Sequence, residues 1–380
     1  MRVAKFLTAF ITTVIIIGCS SYEHPNNYDF KKNIDIDIKK KKEFNPKRQL
    51  CKIQMIPLQT TTECLIQDID KLYLTDDYII VFDQSNSNIF QFDKKGQYLR
   101  KIGVKGQGPL EYNTFNDVIY DPCSNKIFAF ERFNSMMYIY NLNGELERTI
   151  KSKFMFNSFI RGEQGFWIYS CFKQNNPNNC ALMLVDEELT FCKKEYFPQA
   201  DITTVHFTPR FTVNNDNGEQ YFYYDGSDII WKLSDKAEGV YKVDFGEYTL
   251  PYKEMKKSRS VKEYDNTVHR GKYLGFIDNL IVSNDFLTFK CKESGLNKPS
   301  IPFYIEYDLP RKSIGIYNSI TMGDGIVPAN YLEPLYLSKE TFVYAIEPQK
   351  LSSHEFKALK KEYANASEDD NPILLFMKRR

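Results

Sequence analysis

Short apolar runs, broken by turns of Asn, Asp, Ser, Lys and Gly, recur along the chain from Tyr78 onward. Two stretches align with each other. Placing VFDQSNSNIFQFDKKGQYLRKI, which begins at Val81, above AFERFNSMMYIYNLNGELERTI, which begins at Ala129, gives an offset of 48 residues. Asn86 then meets Asn134, Ser87 meets Ser135, Gly96 meets Gly144, Arg100 meets Arg148, and Phe90 and Phe92 fall on Tyr138 and Tyr140. Each copy reads as a strand ending in an acidic residue, a polar turn, a strand with aromatics on alternate positions, a turn at Gly, and a last strand.

A repeat of roughly forty to fifty residues with about four strands per unit is the signature of a β-propeller, whose blades bury their faces only against neighbouring blades. A period of 48 fits the stretch 50–350 about six times, whereas five units leave a long surplus and seven overrun. The expected fold class is therefore all-β, a six-bladed β-propeller. In the later units Gly165–Tyr169 reads as an inner strand with 180–186 as its partner. The segment YFYYDGSDIIWKLSDK from Tyr221 repeats the strand, turn, strand order, and further units occupy 284–317 and about 331–347.

The two ends differ from the repeats. Ser352 and Glu355 form a capping box, with Phe356, Leu359 and Tyr363 at helical spacing behind it, so 353–365 is expected to be a short helix. ILLFMK, 373–378, reads as a strand that closes the ring by pairing with a segment from the other chain end. The candidates are 34–38, where Ile alternates with Asp, and 51–58. The opening MRVAKFLTAFITTVIIIG carries Arg2 and Lys5 before an apolar run, which predicts a cleaved export signal over 1–18. That run, about a dozen residues, is short of the roughly twenty needed to span a bilayer. Ile16, Ile17, Gly18 and Cys19 resemble the lipobox of bacterial lipoproteins, which implies a lipid on Cys19 and membrane attachment through it. A polar tether over 19–32 would follow, in a stretch to Gln49 where lysines and Arg48 outnumber the acids, then the propeller over 33–380.

Composition removes some functions. Fifty Lys and Arg against 49 Asp and Glu give a net charge of +1, without the basic footprint of a nucleic-acid binder. The 26 Tyr and 29 Phe favour strands. Besides Cys19, seven cysteines are present with no C-x-x-C pair, so no zinc knot is expected. Cys171 and Cys180 flank QNNPNN, leaving either a bridge at a hairpin tip or buried free thiols. His24, His206, His269 and His354 are single and far apart, so no metal site or catalytic residue is assigned.

GVKGQGPLEY, 103–112, has the order G-x-x-G-x-G, lacks a following helix, and lacks the Lys-Ser/Thr of a phosphate loop. It reads as a crossover between blades, with glycines allowing positive φ and Pro109 fixing the chain direction. The stretch from Lys101 to Leu146 resembles the NHL-type propeller repeat. With the lipobox, IPLQTT at Ile56, GQGPLEY at Gly106, VDFG at Val243 and NPILLFMK at Asn371, the chain resembles the six-bladed β-propeller lipoproteins of Bacteroidetes. Many members carry glycine where Leu110 stands, so the loop departs from their pattern there.

The resemblance implies an outer membrane lipoprotein, on the periplasmic face or the cell surface, that binds a glycan, peptide or protein without catalysis or cofactor. The alternative is a propeller hydrolase or lyase holding a divalent ion such as calcium at the central channel mouth. Convergence of three or more carboxylates and histidines there would favour chemistry, and an apolar floor would favour binding. Glu131 and Arg132 read as an ion pair or solvated turn rather than as ligand contacts. Trp167 and Trp231 stand on the apolar alternation of their strands and read as packing between blades rather than sugar platforms.

Overall fold

The computed structural model describes residues 32–40, 42–44, 50–170, 180–198, 211–223, 228–249, 262–263, 266, 273–274, 277–295, 298–322, 325–328, 334–351 and 367–379. Six small sheets form a six-bladed β-propeller. Blade 1 is built from Lys71–Leu74, Tyr78–Asp83, Asn88–Asp93 and Tyr98–Ile102. Blade 2 uses Asp117–Asp121, Lys126–Glu131, Met136–Asn141 and Leu146–Lys151, and blade 3 Ser158–Gly162, Gly165–Tyr169, Cys180–Val185 and Cys192–Pro198. Blade 4 comprises Phe211–Val213, Gln220–Tyr223, Ile229–Leu233 and Ala237–Asp244, and blade 5 Asp278–Val282, Phe286–Gly295, Lys298–Asp308 and Ser313–Met322. The first strands of successive blades neighbour one another around the axis. The innermost strand of blade 3 is therefore Ser158–Gly162, and Gly165–Tyr169, expected as inner, is the second. Its predecessor is short and polar at its start, which hid it in the sequence.

Middle strands are buried on both faces, so they read as continuous apolar runs rather than alternating ones. In Tyr78–Asp83, Ile79 and Val81 pack toward blade 6 while Ile80 and Phe82 pack toward blade 2. The period of two thus serves two interfaces at once. The result is six core clusters, each lying between two adjacent blades. Aromatic pairs fill them: Phe130 of blade 2 stacks on Phe156 at 3.6 Å between ring centroids. Trp167 and Trp231 lie in one such cluster between blades 3 and 4, and Trp167 Nε1 donates to Ser234 O at 3.3 Å. Both are interblade packing, as their alternation indicated.

Closure joins the two ends of the described chain. Blade 6 consists of Pro334–Leu337, Thr341–Ile346, Ile373–Arg379 and, outermost, Leu50–Pro57, which pairs antiparallel with Ile373–Arg379 from Ile373↔Pro57 to Arg379↔Leu50. The buried Asn371 fastens the approach: its Oδ1 accepts Ile66 N–H at 2.8 Å and its Nδ2 donates to Cys64 O at 2.8 Å. The other closure candidate, 34–38, does not close the ring. Lys32–Asp35 adds in parallel to the outer strand of blade 4, with Lys32↔Tyr241 and Asp35↔Asp244. Lys42–Phe44 then adds in parallel to the outer strand of blade 5. The alternation itself holds, since Ile34, Ile36 and Ile38 are buried in the cluster between blades 4 and 5.

This strap covers edges that need covering. The bare outer strands of blades 1, 2 and 3 carry charge, as in LERTIK and CKKEYFP, whereas SIGIYNSITM of blade 5 has none. Charged edges resist pairing with other chains, and uncharged ones invite it. On the face bearing the turns after the first strands, Asp216 of blade 4 accepts Asn284 N–H of blade 5 and Lys339 N–H of blade 6, both at 2.9 Å. Three of the identities shared by the two aligned repeats lie in turns. Ser87 and Ser135 have φ of 55° and 47°, Gly96 and Gly144 both 83°, and Asn86 and Asn134 donate to Asp83 and Glu131 at 3.0 Å.

A short helix, Pro348–Leu351, stands near the C-terminus. The helix expected over 353–365, the signal over 1–18, Cys19, Cys171 and all four histidines lie outside the described residues. Cys180 is buried, its Sγ donating to Glu195 Oε2 at 3.3 Å.

Deleting Ile373 to Arg380 removes the middle partner of Leu50–Pro57 and Thr341–Ile346, and with it burial from two interfaces. The truncated chain is expected to lose its cooperative melt and to aggregate, as seen by thermal denaturation and size exclusion. A monomer with the wild-type melting temperature would refute ring closure by this strand.

Candidate functional site

The loops entering each inner strand and the turns between second and third strands share one face of the ring. Blades 1 to 3 supply its described channel rim. Lys71 begins the inner strand of blade 1, and its Nζ lies 2.5 Å from Asp117 Oδ1, at the start of the inner strand of blade 2. Lys71 also donates to Val118 O at 3.1 Å, as does Tyr73 OH at 2.8 Å. Asp117 further accepts the N–H groups of Val118 at 2.9 Å and Phe159 at 3.0 Å. Burial alone would discharge Lys71, but Asp117 beside it outweighs burial and holds the ammonium above its ordinary range. Burial pushes the Tyr73 phenol up to about 12. The trio pins three inner strands together, with Lys71 and Tyr73 both satisfied as donors, so the geometry is that of a bracket.

A second group, Asp68, Asp70 and Asp83, gathers where blade 6 hands over to blade 1. Burial raises the carboxyl groups of Asp68 and Asp70, with Asp83 adding repulsion to both. Each of the two inner ones is spent on backbone: Asp70 accepts Gln84 N–H at 2.7 Å, and Asp83 accepts Gln67 N–H at 2.9 Å and Asn86 N–H at 3.1 Å. Among the described residues no three of His, Cys, Asp and Glu are placed to hold a metal ion. Three carboxylates do converge, but as anchors for turns.

The glycine loop is a crossover between blades 1 and 2, folded on itself by Gly106 N–H to Tyr112 O at 2.9 Å and Tyr112 N–H to Val104 O at 3.0 Å. Its own anion fills the hollow. Glu111 Oε2 accepts Gly108 N–H at 2.8 Å, and a Cβ on Gly106 would lie 2.0 Å from that oxygen. Only Gly103, at φ 80°, has the left-handed backbone expected of the loop, and its added Cβ would meet Tyr140 OH at 2.7 Å. Gly106 and Gly108 are required for space around Glu111 rather than for positive φ.

Rigid anchoring of this loop presents apolar tips to solvent. Lys105 Nζ donates to Asn86 O at 3.1 Å, Gln84 Nε2 to Asn116 O at 3.1 Å, and Arg132 N–H to Asn116 Oδ1 at 2.6 Å, tying the loop to the turns of both flanking blades. Tyr138 OH bonds Glu111 O at 3.0 Å and Glu131 Oε2 at 3.2 Å, so one hydroxyl links the loop residue after Leu110 to the strand end that leads into Phe133. Phe133 is 74 % exposed, Leu110 64 %, Val104 62 % and Leu65 54 %. Of the six exposed large apolar side chains among the described residues, these four share this face. Glu131 itself is buried at the end of the second strand of blade 2, and burial with Glu131 nearby pushes the Tyr138 phenol up to about 12. Neither the ion pair nor the solvated turn expected for Glu131 forms. Sequence reasoning named Leu110 only as a departure and passed over Phe133, since exposure is invisible until the blades close.

Replacing Lys71 with Met should cost about 3–5 kcal/mol, because Asp117 is left buried and unpaired. Adding Asp117→Asn should recover most of that loss, as read from urea midpoints. Additive losses would show that the two side chains are not coupled.

No curated protein matches the chain. Among solved structures, a putative exported protein from Bacteroides fragilis NCTC 9343 is similar with a TM-score of 0.73 and 15 % identity, over 92 % of this chain and 99 % of that one. A member of the duf4221 family from Bacteroides vulgatus ATCC 8482 is similar with a TM-score of 0.52 and 12 % identity, over 87 % of this chain and 97 % of that one. At such identities the likeness is one of fold. The family described as Domain of unknown function (DUF4934) matches residues 31–378, and the chain belongs to it.

Proposed function

We propose that this chain is an exported binding module, held at the outer membrane through lipid on Cys19, that engages a glycan, peptide or protein with the face carrying the glycine loop. The observation that carries the reading is the set of exposed apolar tips, Leu65, Val104, Leu110 and Phe133, on loops braced by the hydrogen bonds above. Soluble proteins seldom keep large contiguous apolar surface in water without a use for it. Rigid loops lower the ordering cost of association, so such tips serve as anchors. Asp70, Asp83, Glu111 and Asp117 on the same face are spent on backbone N–H groups, Asp117 on Lys71 as well, which supports a binding role over acid or base work by these four. Export is supported by the signal pattern over 1–18 and by the exported Bacteroides fragilis protein of like fold.

Two experiments test this. Glycan and peptide arrays probed with the purified protein should show binding that Leu110→Asp with Phe133→Asp abolishes while the melting temperature stays unchanged. Binding that survives the double substitution would place the site elsewhere, and turnover of a bound ligand would favour the enzyme alternative. Separately, Cys19→Ala should move the folded protein from membrane to soluble fraction and end incorporation of labelled fatty acid; a variant that stays with the membrane would remove the anchor from the proposal.

A further inference from the structure

The charges around Leu110 and Phe133 are one-sided. Lys101 stands near the end of the outer strand of blade 1 and Lys105 in the glycine loop that follows it, Arg132 lies over the Phe133 ring at 5.2 Å, and Lys151 donates to Asn134 O in the turn that carries Phe133. Partial burial, and then Lys105 beside it, pushes the Lys101 ammonium below its usual range. None of the described ion pairs involves Lys101, Lys105 or Lys151. The acidic side chains of the same patch are withdrawn: Glu131 is buried under Asn134 and Tyr138, Asp83 is buried under backbone N–H groups, and Glu111 is folded onto Gly108 N–H. Around Leu110 and Phe133 the surface therefore offers cations and apolar tips outward while Glu111, Glu131 and Asp83 are drawn in; the exposed Glu63 and Asp68 lie beside Leu65.

Building on the proposed binding role of this face, we infer that its partner is a protein segment combining Asp or Glu with large apolar side chains. Apolar contacts would supply most of the affinity at Phe133 and Leu110, and the lysines and Arg132 would select charge and speed the encounter. A bilayer with anionic head groups offers related chemistry and is the competing outcome of the test below. The bracing of the loop and turn that carry Leu110 and Phe133 by hydrogen bonds to both flanking blades makes a rigid surface, which suits defined contacts with a peptide.

The test is selection of displayed random peptides, about twelve residues long as suits an extended or helical ligand, against the purified protein, followed by titration on three variants. Phe133→Asp, at an exposed position, should weaken selected peptides by about tenfold or more. Lys105→Glu combined with Lys101→Glu should weaken them by about fivefold and flatten the salt dependence. Gln97→Glu, in a turn on the opposite side of blade 1, should change nothing. Peptides rich in Asp or Glu beside Leu, Phe or Trp would support the inference. Peptides lost with Phe133→Asp but lacking acidic enrichment would overturn the partner chemistry and leave the face as a binding site. Peptides indifferent to Phe133→Asp, or none recovered, would overturn both. Sedimentation of wild type but not of these variants with vesicles of phosphatidylcholine and phosphatidylglycerol would overturn the protein partner in favour of a membrane.

Discussion

Every blade has two apolar faces and can cover neither by itself. The ring therefore exists only when complete: six clusters lie between six pairs of blades, and each is half-built until its neighbour arrives. Burial of a large apolar side chain stabilises by about 1.5–3 kcal/mol, so opening one interface exposes enough residues to exceed the margin by which a domain is stable. The pairing of Leu50–Pro57 with Ile373–Arg379 is the contact on which the others depend, because it turns a row of blades into a ring. Asn371 answers for the polar cost of that seam by bonding four backbone and hydroxyl groups around it.

Closure from both chain ends leaves the outer edges of blades as the remaining weakness. The strap covers blade 5, whose outer strand is uncharged, with Lys42–Phe44, and blade 4, whose outer strand carries Glu238, Lys242 and Asp244, with Lys32–Asp35. Charge alone therefore does not decide which edges it covers. Blades 1 to 3 leave Arg, Lys and Glu on theirs. Since the strap continues into the closing strand, edge protection and ring closure are carried by one stretch of chain.

The face carrying the glycine loop shows how a scaffold positions a surface without specialised chemistry. Its buried carboxylates hold turns and inner strands, Tyr73 and Tyr138 hold carbonyl groups, and the tips left for solvent at Val104, Leu110 and Phe133 are apolar. Glu111 is the clearest case. A G-x-x-G-x-G stretch that invites comparison with a phosphate cradle is instead filled by a carboxylate of its own chain.

The all-β class, the period of 48, the six units and the terminal strand could be read from the sequence because they rest on local pattern: alternation, turn residues and repeat spacing act over a few positions. The same holds for Asn86, Ser87, Gly96 and their counterparts, whose roles in turns follow from backbone conformations that few residues adopt. Tertiary structure alone decided the rest. Ile34 to Ile38 alternates as an edge strand should, but which edge it joins depends on where the ring brings each outer strand. Gly106 reads as a flexible joint until Glu111 is seen against it. The loop carrying Leu110 and the strand end preceding Phe133 are held together only because Glu111 and Glu131 both bond the hydroxyl of Tyr138. Strand pattern is written between neighbours in sequence, whereas a surface is assembled from neighbours in space, and those are fixed only when the last strand closes the ring.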